Sequence, residues 1–287
     1  MLIFAGIDWS DPLGPTYELH DPTSHDVIYM NRSINLGIGR EERYCLGHFE
    51  LSDGSFRRVS CPLGNRVVSG TQCDPCRSAD LFGRTHYVNS ITDVPTPLRA
   101  YFDHQHYLYL ATYGMGLFKI GTAHTERIHA RLLEQGALGA VVLTLAGNGV
   151  TARQEERRIS TELSIPTVMS HSRKRAGLIA LRDAKAMLSA LQELAEATLQ
   201  HLSVTTHVQT WSPHEGLLRR LEKFSGDGLR SWLDGSSFMC DADAIGQSLV
   251  RLGENSAECI NAAAYRGRPV HKVEYRPVLE PSQLSLF

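Results

Sequence analysis

Four cysteines between positions 45 and 76 constrain this chain more than any other feature, because the segment around them has little apolar mass to fold on. Cys73-Asp74-Pro75-Cys76 is a knuckle-type pair whose two-residue spacer lets both sulfurs face one ion, and Cys45 and Cys61 can complete a tetrahedral set. Turn residues such as Gly47, Asp53-Gly54, Pro62-Leu63-Gly64-Asn65 and Ser69-Gly70 separate short strand-like runs, among them Arg66-Val67-Val68. Structural zinc is the expected occupant, since metal binding and folding are coupled in small modules of this kind. A redox pair and unligated thiols are the competing readings. Of the six cysteines, the remaining two, Cys240 and Cys259, stand alone and read as buried free thiols. His104 and His106 flank Gln105 just before a strand; one of them could join the zinc site, and the plainer reading is a surface or core residue.

A chain of 287 residues has room for roughly two domains. Its 29 Lys and Arg against 31 Asp and Glu, a net charge of −2, exclude a generally basic nucleic-acid coat, so any nucleic-acid surface must be local. The longest apolar stretch, Ala137 to Gly147, is about half of what a membrane helix needs. The first residues lack a basic stretch and reach Asp8 early, unlike a secretory leader. A cytoplasmic, nucleoid-associated protein is expected, with no membrane partner.

From position 105 the pattern changes. His106 to Ala111 reads as a strand, Thr112 to Gly116 as a turn and Leu117 to Gly121 as a second strand. A helix from about Thr125 to Gln135 ends at Gly136, Ala140 to Leu145 is a buried strand, and Thr151 caps a helix through about Leu163. Three strands with helices packed on them make a small α/β unit. Tyr107-Leu108-Tyr109, Lys119-Ile120-Gly121, Arg131 and Glu156 in this unit resemble the GIY-YIG nuclease superfamily. With Cys45, Cys61 and Gln72 to Cys76 ahead of it and Arg131 to Ala137 inside it, the stretch from about Tyr44 to Arg175 resembles a bacterial family of unknown function that joins a cysteine-rich front to a GIY-YIG-like core.

That resemblance implies metal-assisted phosphodiester hydrolysis. Glu156 would hold a magnesium or manganese ion against the scissile phosphate, and Arg131 would stabilise the charge that develops there. Tyr109 would position or help deprotonate the attacking water. Lys119 departs from the tyrosine of the second motif, and as a cation it would abstract protons poorly unless burial lowers its pKa. Glu155 competes for the metal role, but Glu156 shares the helical face of Ile159 and Leu163. The bland alternatives are a core aromatic at Tyr109, a solvated Lys119, and an ion pair of Arg131 with Glu156.

Arg173-Lys174-Arg175 lies in a stretch, Leu163 to Arg182, without Asp or Glu, and could follow a nucleic-acid backbone or simply be a solvated helix start. One strong helix is expected from Ala176 to His201, with Met187, Leu188 and Leu191 in its apolar stripe. Gln283-Leu284-Ser285-Leu286-Phe287 resembles the pentapeptide with which bacterial replication and repair proteins dock on the DNA sliding clamp.

The expected fold class is α+β: a β-rich region with a four-cysteine zinc site over 1–100, a GIY-YIG-like core with a three-stranded sheet over 101–175, a helical region over 176–278 and a clamp-binding tail over 279–287. The expected function is a metal-dependent DNA endonuclease, with RNA not distinguished from DNA, recruited by the clamp in repair or replication. The alternative is a non-catalytic zinc-containing DNA-binding protein with a degenerate GIY-YIG fold. A redox or metal-storage protein rests on the cysteines alone.

Overall fold

The computed structural model describes residues 1–11, 13–31, 34–39, 42–52, 55–202, 209–212, 214–221, 229–231, 237–238, 242–252 and 257–275, and in it the first strand is covered on both faces. β1 (Leu2–Asp8) turns Phe4 and Ile7 toward Tyr17, Leu19 and Leu36, and Ile3 and Ala5 toward Leu46 beside the cysteines. It pairs antiparallel with β2 (Thr16–His20), which pairs with β3 (Val27–Asn31), while β4 (Ile34–Ile38) lies further across the same sheet. The cysteine segment forms two narrow ribbons: β5 (Arg43–Tyr44) against β8 (Arg66–Val67), and the hairpin of β6 (His48–Ser52) and β7 (Ser55–Val59). Three short helices follow, α1 (Asp74–Ala79), α2 (Leu81–Arg84) and α3 (Arg99–Asp103).

β9 (His106–Thr112) and β10 (Phe118–His124) form the expected hairpin, and β11 (Gly139–Ala146) pairs along the other edge of β9. The helices in this half are α4 (Ile128–Gln135), α5 (Gly149–Leu163), α6 (His171–Ala180) and α7 (Ala184–Leu199). Strand alternation sends Leu108, Leu110, Val141 and Leu143 to one face, against Ile159 of α5 and Leu191 of α7. Tyr109, Ala111 and Ala140 take the opposite face, with Ile128 and Leu132 of α4. The arrangement therefore places α4 over the side of the sheet that carries the motif tyrosine.

Several boundaries differ from expectation. Asn148, not Thr151, caps α5: its side chain accepts from the Thr151 N–H at 2.8 Å. The expected helix over 176–201 is divided, because the Asp183 side chain accepts from the Ala186 N–H at 2.8 Å and starts α7 afresh. The region expected to be helical is in large part strand. β12 (Gln209–Trp211) adds a fourth strand to the core sheet beside β11, making the expected three-stranded sheet four-stranded. After α8 (Glu215–Leu221) come β13 (Leu229–Ser231), β14 (Ser237–Phe238), β15 (Asp243–Ile245), β16 (Ser248–Leu252), β17 (Ala257–Asn261) and β18 (Arg268–Tyr275). β13, β17, β16 and β15 form a further sheet, whose Val250, Ala257 and Cys259 pack on Leu178, Met187 and Leu217. β18 enters the first sheet between β4 and β1, so strands from both ends of the sequence share one core. No helix among the described residues is long and apolar enough to cross a membrane.

Candidate active site and metal centre

Residues of β9 and β10 meet in the register Tyr109 to Gly121 and Ala111 to Lys119, so Tyr109 and Lys119 occupy the same face of the hairpin. Gly121 cannot be replaced there without movement: a Cβ would stand 2.6 Å from the Tyr109 hydroxyl oxygen. The tyrosine ring thus lies across the glycine and reaches toward Gln135, the last residue of α4. Gly136, at φ 69°, then ends that helix in the left-handed conformation.

Oε1 of Gln135 accepts three hydrogen bonds, from the hydroxyls of Tyr109 at 3.3 Å and Tyr113 at 2.8 Å and from Lys119 Nζ at 2.9 Å. Its backbone carbonyl accepts a fourth, from Lys174 Nζ at 2.8 Å, and that ammonium lies 4.5 Å from the centre of the Tyr113 ring. Gln135 lies in the Arg131 to Ala137 run that carries the resemblance, but the sequence assigns it no chemical role. The available signal was its place one helical turn after Arg131, which puts both on the same face of α4. Arg131 sits with its guanidinium 5.6 Å from the centre of the Phe82 ring.

Glu156 comes from α5 and is 6% exposed, with Arg153 Nη1 at 3.5 Å. Burial pushes its carboxyl above the usual carboxylate range, against the opposing pull of Arg153, Lys119, Arg157 and Arg131. Glu155 points elsewhere and pairs with Arg158 at 2.7 Å, so the two carboxylates leave different faces of α5. Lys119 is 8% exposed, and burial together with Arg131 and Lys174 brings its ammonium down to about 7. Lys174 comes down to about 8, again through burial and then Arg131. Burial raises the Tyr109 phenol, which therefore keeps its proton at neutral pH.

These groups line one side of a cleft of about 1310 Å³. The facing side is built from the first sheet and the cysteine segment, including Gly6, Glu18, Phe49, Arg58, Phe82 and Arg266. Glu18 there is paired with Arg58 at 2.5 Å and with His20 at 3.0 Å. Lysines and arginines along the cleft outnumber carboxylates nine to five, in a chain whose net charge is −2. The cleft thus gathers Tyr109, Lys119, Arg131 and Glu156 from four elements. Of the basic run on α6 only Lys174 reaches it: Arg173 is exposed, and Arg175 lies near enough to act electrostatically on Cys259. Residues 283–287 and Cys240 lie outside the described residues, and Cys259 is a buried free thiol.

A second centre lies in the cysteine segment. The sulfurs of Cys45, Cys61, Cys73 and Cys76 all fall within 4.8 Å of one another, and those of Cys61 and Cys73 are 3.9 Å apart. A tetrahedral site with metal–sulfur bonds of about 2.3 Å holds its sulfurs about 3.8 Å apart, so the four thiols fit a metal ion. The N–H groups of Gly47 and Cys73 donate to the Cys45 sulfur at 3.3 and 3.2 Å, the kind of support a bound thiolate receives. Among the described residues no histidine joins this group.

No curated protein and no solved structure matches the chain. A family model matches residues 32–217, which include the four cysteines and the motif face of the cleft but leave out β1, β2 and β18. With most of its length matched, the chain belongs to the family described as "Protein of unknown function (DUF2797)".

Proposed function

We propose that this protein is a metal-dependent endonuclease of the GIY-YIG type that hydrolyses phosphodiesters in DNA. The observation that carries the reading is the convergence of Tyr109, Lys119, Arg131 and Glu156 on one cleft with an excess of cations. The strand order β10-β9-β11 and the placement of α4 and α5 support the resemblance seen in the motifs. Phosphodiester chemistry asks for positive charge at the scissile phosphate, a base for water and a carboxylate for a divalent ion.

Each residue has a part in that reaction. Arg131 and Lys174 bind the phosphate oxygens and stabilise charge in the transition state. Tyr109 donates to Gln135, which leaves its oxygen lone pairs to orient the attacking water. Lys119, about half of it neutral near pH 7 in its buried setting, takes the proton from that water in its neutral form while its own N–H remains on Gln135. Glu156 would hold a magnesium or manganese ion, since such ions often take only one or two carboxylates from the protein. When bound, the ion supplies charge neutralisation at the leaving oxygen. The four thiols hold structural zinc in this reading, and the Gln283 to Phe287 tail recruits the enzyme to the sliding clamp, offsetting the weak intrinsic DNA attraction of a chain with net charge −2.

The test is nicking of supercoiled and branched DNA by the purified protein with magnesium or manganese, with and without clamp. Metal-dependent nicking that is lost in Glu156→Gln and reduced in Tyr109→Phe is the expected result. A second reading, a non-catalytic zinc-containing DNA-binding protein, is favoured by one observation: Tyr109 is fully buried, with its hydroxyl engaged by Gln135. DNA binding without nicking under any of these conditions would decide for it.

A further inference from the structure

We infer that the cleft takes a single, unpaired nucleic-acid strand, whose bases stack on the aromatic wall presented by the cysteine segment; this rests on reading the opposite side as a phosphodiester site. The wall consists of Phe49 and Phe56 from the β6–β7 hairpin and Phe82 from α2, all lining the cleft and all half-buried. Phe82 lies 5.6 Å from Phe49 and 5.1 Å from Phe56, centre to centre. Guanidinium groups flank the rings: Arg58 lies over Phe49, 4.3 Å from its centre, and Arg131 reaches from the facing side over Phe82.

Rings and cations so placed suit a strand that offers both a π-face and a phosphate at each nucleotide. A paired base inside a duplex offers only its edges, because its faces are covered by its neighbours in the stack. The floor makes the same demand. Lys119 and Glu156 are 8% and 6% exposed, so a phosphate reaches them only by entering between the two walls. Arg58 is already paired with Glu18, whereas Arg57, exposed along the cleft, can meet the backbone electrostatically.

The experiment measures anisotropy of labelled oligothymidylate, oligouridylate and a duplex of equal length on the full chain, without added divalent ion so that nothing is cut. Either single strand binding about tenfold or more tighter than the duplex is the expected result, and the stronger of the two decides between DNA and RNA. Phe82→Leu keeps apolar bulk beside Phe49 and Phe56 but removes the ring face, and is expected to weaken single-strand binding about tenfold while duplex binding stays as it was. Should that variant fail to fold, as judged by its thermal unfolding, Phe49→Leu replaces it. Arg57→Gln should reduce the dependence of log Kd on log salt by about one. Duplex bound as tightly as single strand, or both leucine variants binding single strand like wild type, would overturn the inference. Preference for duplex combined with metal-dependent nicking would sink this inference and leave the nuclease; preference for single strand without nicking would do the opposite.

Discussion

Gln135 is the residue on which the site's geometry depends, and a double-mutant cycle with Tyr113 measures how. Tyr113→Phe alone removes one 2.8 Å hydrogen bond from a residue that is 1% exposed, and Gln135 Oε1 still has two donors, so the expected cost is about 1 kcal/mol. Gln135→Leu roughly preserves volume but leaves the Tyr109 and Tyr113 hydroxyls and the Lys119 amine without their shared acceptor. A stranded buried donor costs about 1–3 kcal/mol. With Lys119 free to lose its proton and turn toward the cleft, the two stranded hydroxyls give about 2–6 kcal/mol. In that background Tyr113→Phe deletes one stranded hydroxyl, so its effect falls to zero or changes sign. The expected coupling between the two sites is therefore about 1–3 kcal/mol. Urea unfolding of the four proteins, with midpoints compared at a constant slope, reads this directly. If the two changes add to within about 0.5 kcal/mol, Gln135 is not the shared acceptor and the argument fails.

Two further outcomes follow from the same structure. Lys119 ionises at about 7 in the folded chain against 10.5 ordinarily, so the folded state binds fewer protons than the unfolded one between those values. Stability should therefore rise with pH across that window through this residue, and the difference between wild type and Lys119→Met in urea midpoints should shrink from pH 7 to pH 10; a difference that stays flat would refute the burial argument. The four thiols should release about one zinc per chain on titration with a mercurial, with loss of protection of the 45–80 segment against proteolysis. A metal-free chain that keeps that protection would show that the segment holds together without the ion.

The parts of this molecule legible in the sequence are those whose physics is local. The β9–β10 hairpin announces itself through its apolar runs and the glycine-containing turn between them, and α5 through a face that carries Glu156, Ile159 and Leu163 together. The cysteine spacing is local in the same sense, and the structure gathers its four sulfurs. At 181–183 the signal for a break was present: Asp183 ahead of Ala184 is an N-cap, masked by a leucine stripe that continues through it. The strands after α8 are different in kind, most of them five residues or fewer. Runs that short carry too little alternation to stand out, and the pairing of β18 with β1 joins Val270 to Leu2 across nearly the whole chain.

That long-range closure is also what hid half of the candidate site. Arg266, just before β18, comes to the cleft together with Gly6 of β1 and Glu18 of β2, none of which has any motif to mark it. The same closure explains how a chain of net charge −2 can present a strongly cationic cleft. Composition averages over the surface, whereas the fold brings Arg57, Arg58 and Arg266 from the first sheet and the ribbons to face Lys119 of the core sheet and Arg131 and Lys174 of its helices. Burying Lys119 and Lys174 beside Arg131 costs free energy that the fold must recover elsewhere, and it lowers the pKa of both lysines. An anion between the walls relieves that cost. Its binding raises both lysines toward their ordinary range, so a polyanionic ligand should bind with proton uptake near pH 7–8 and less tightly as pH rises through that range.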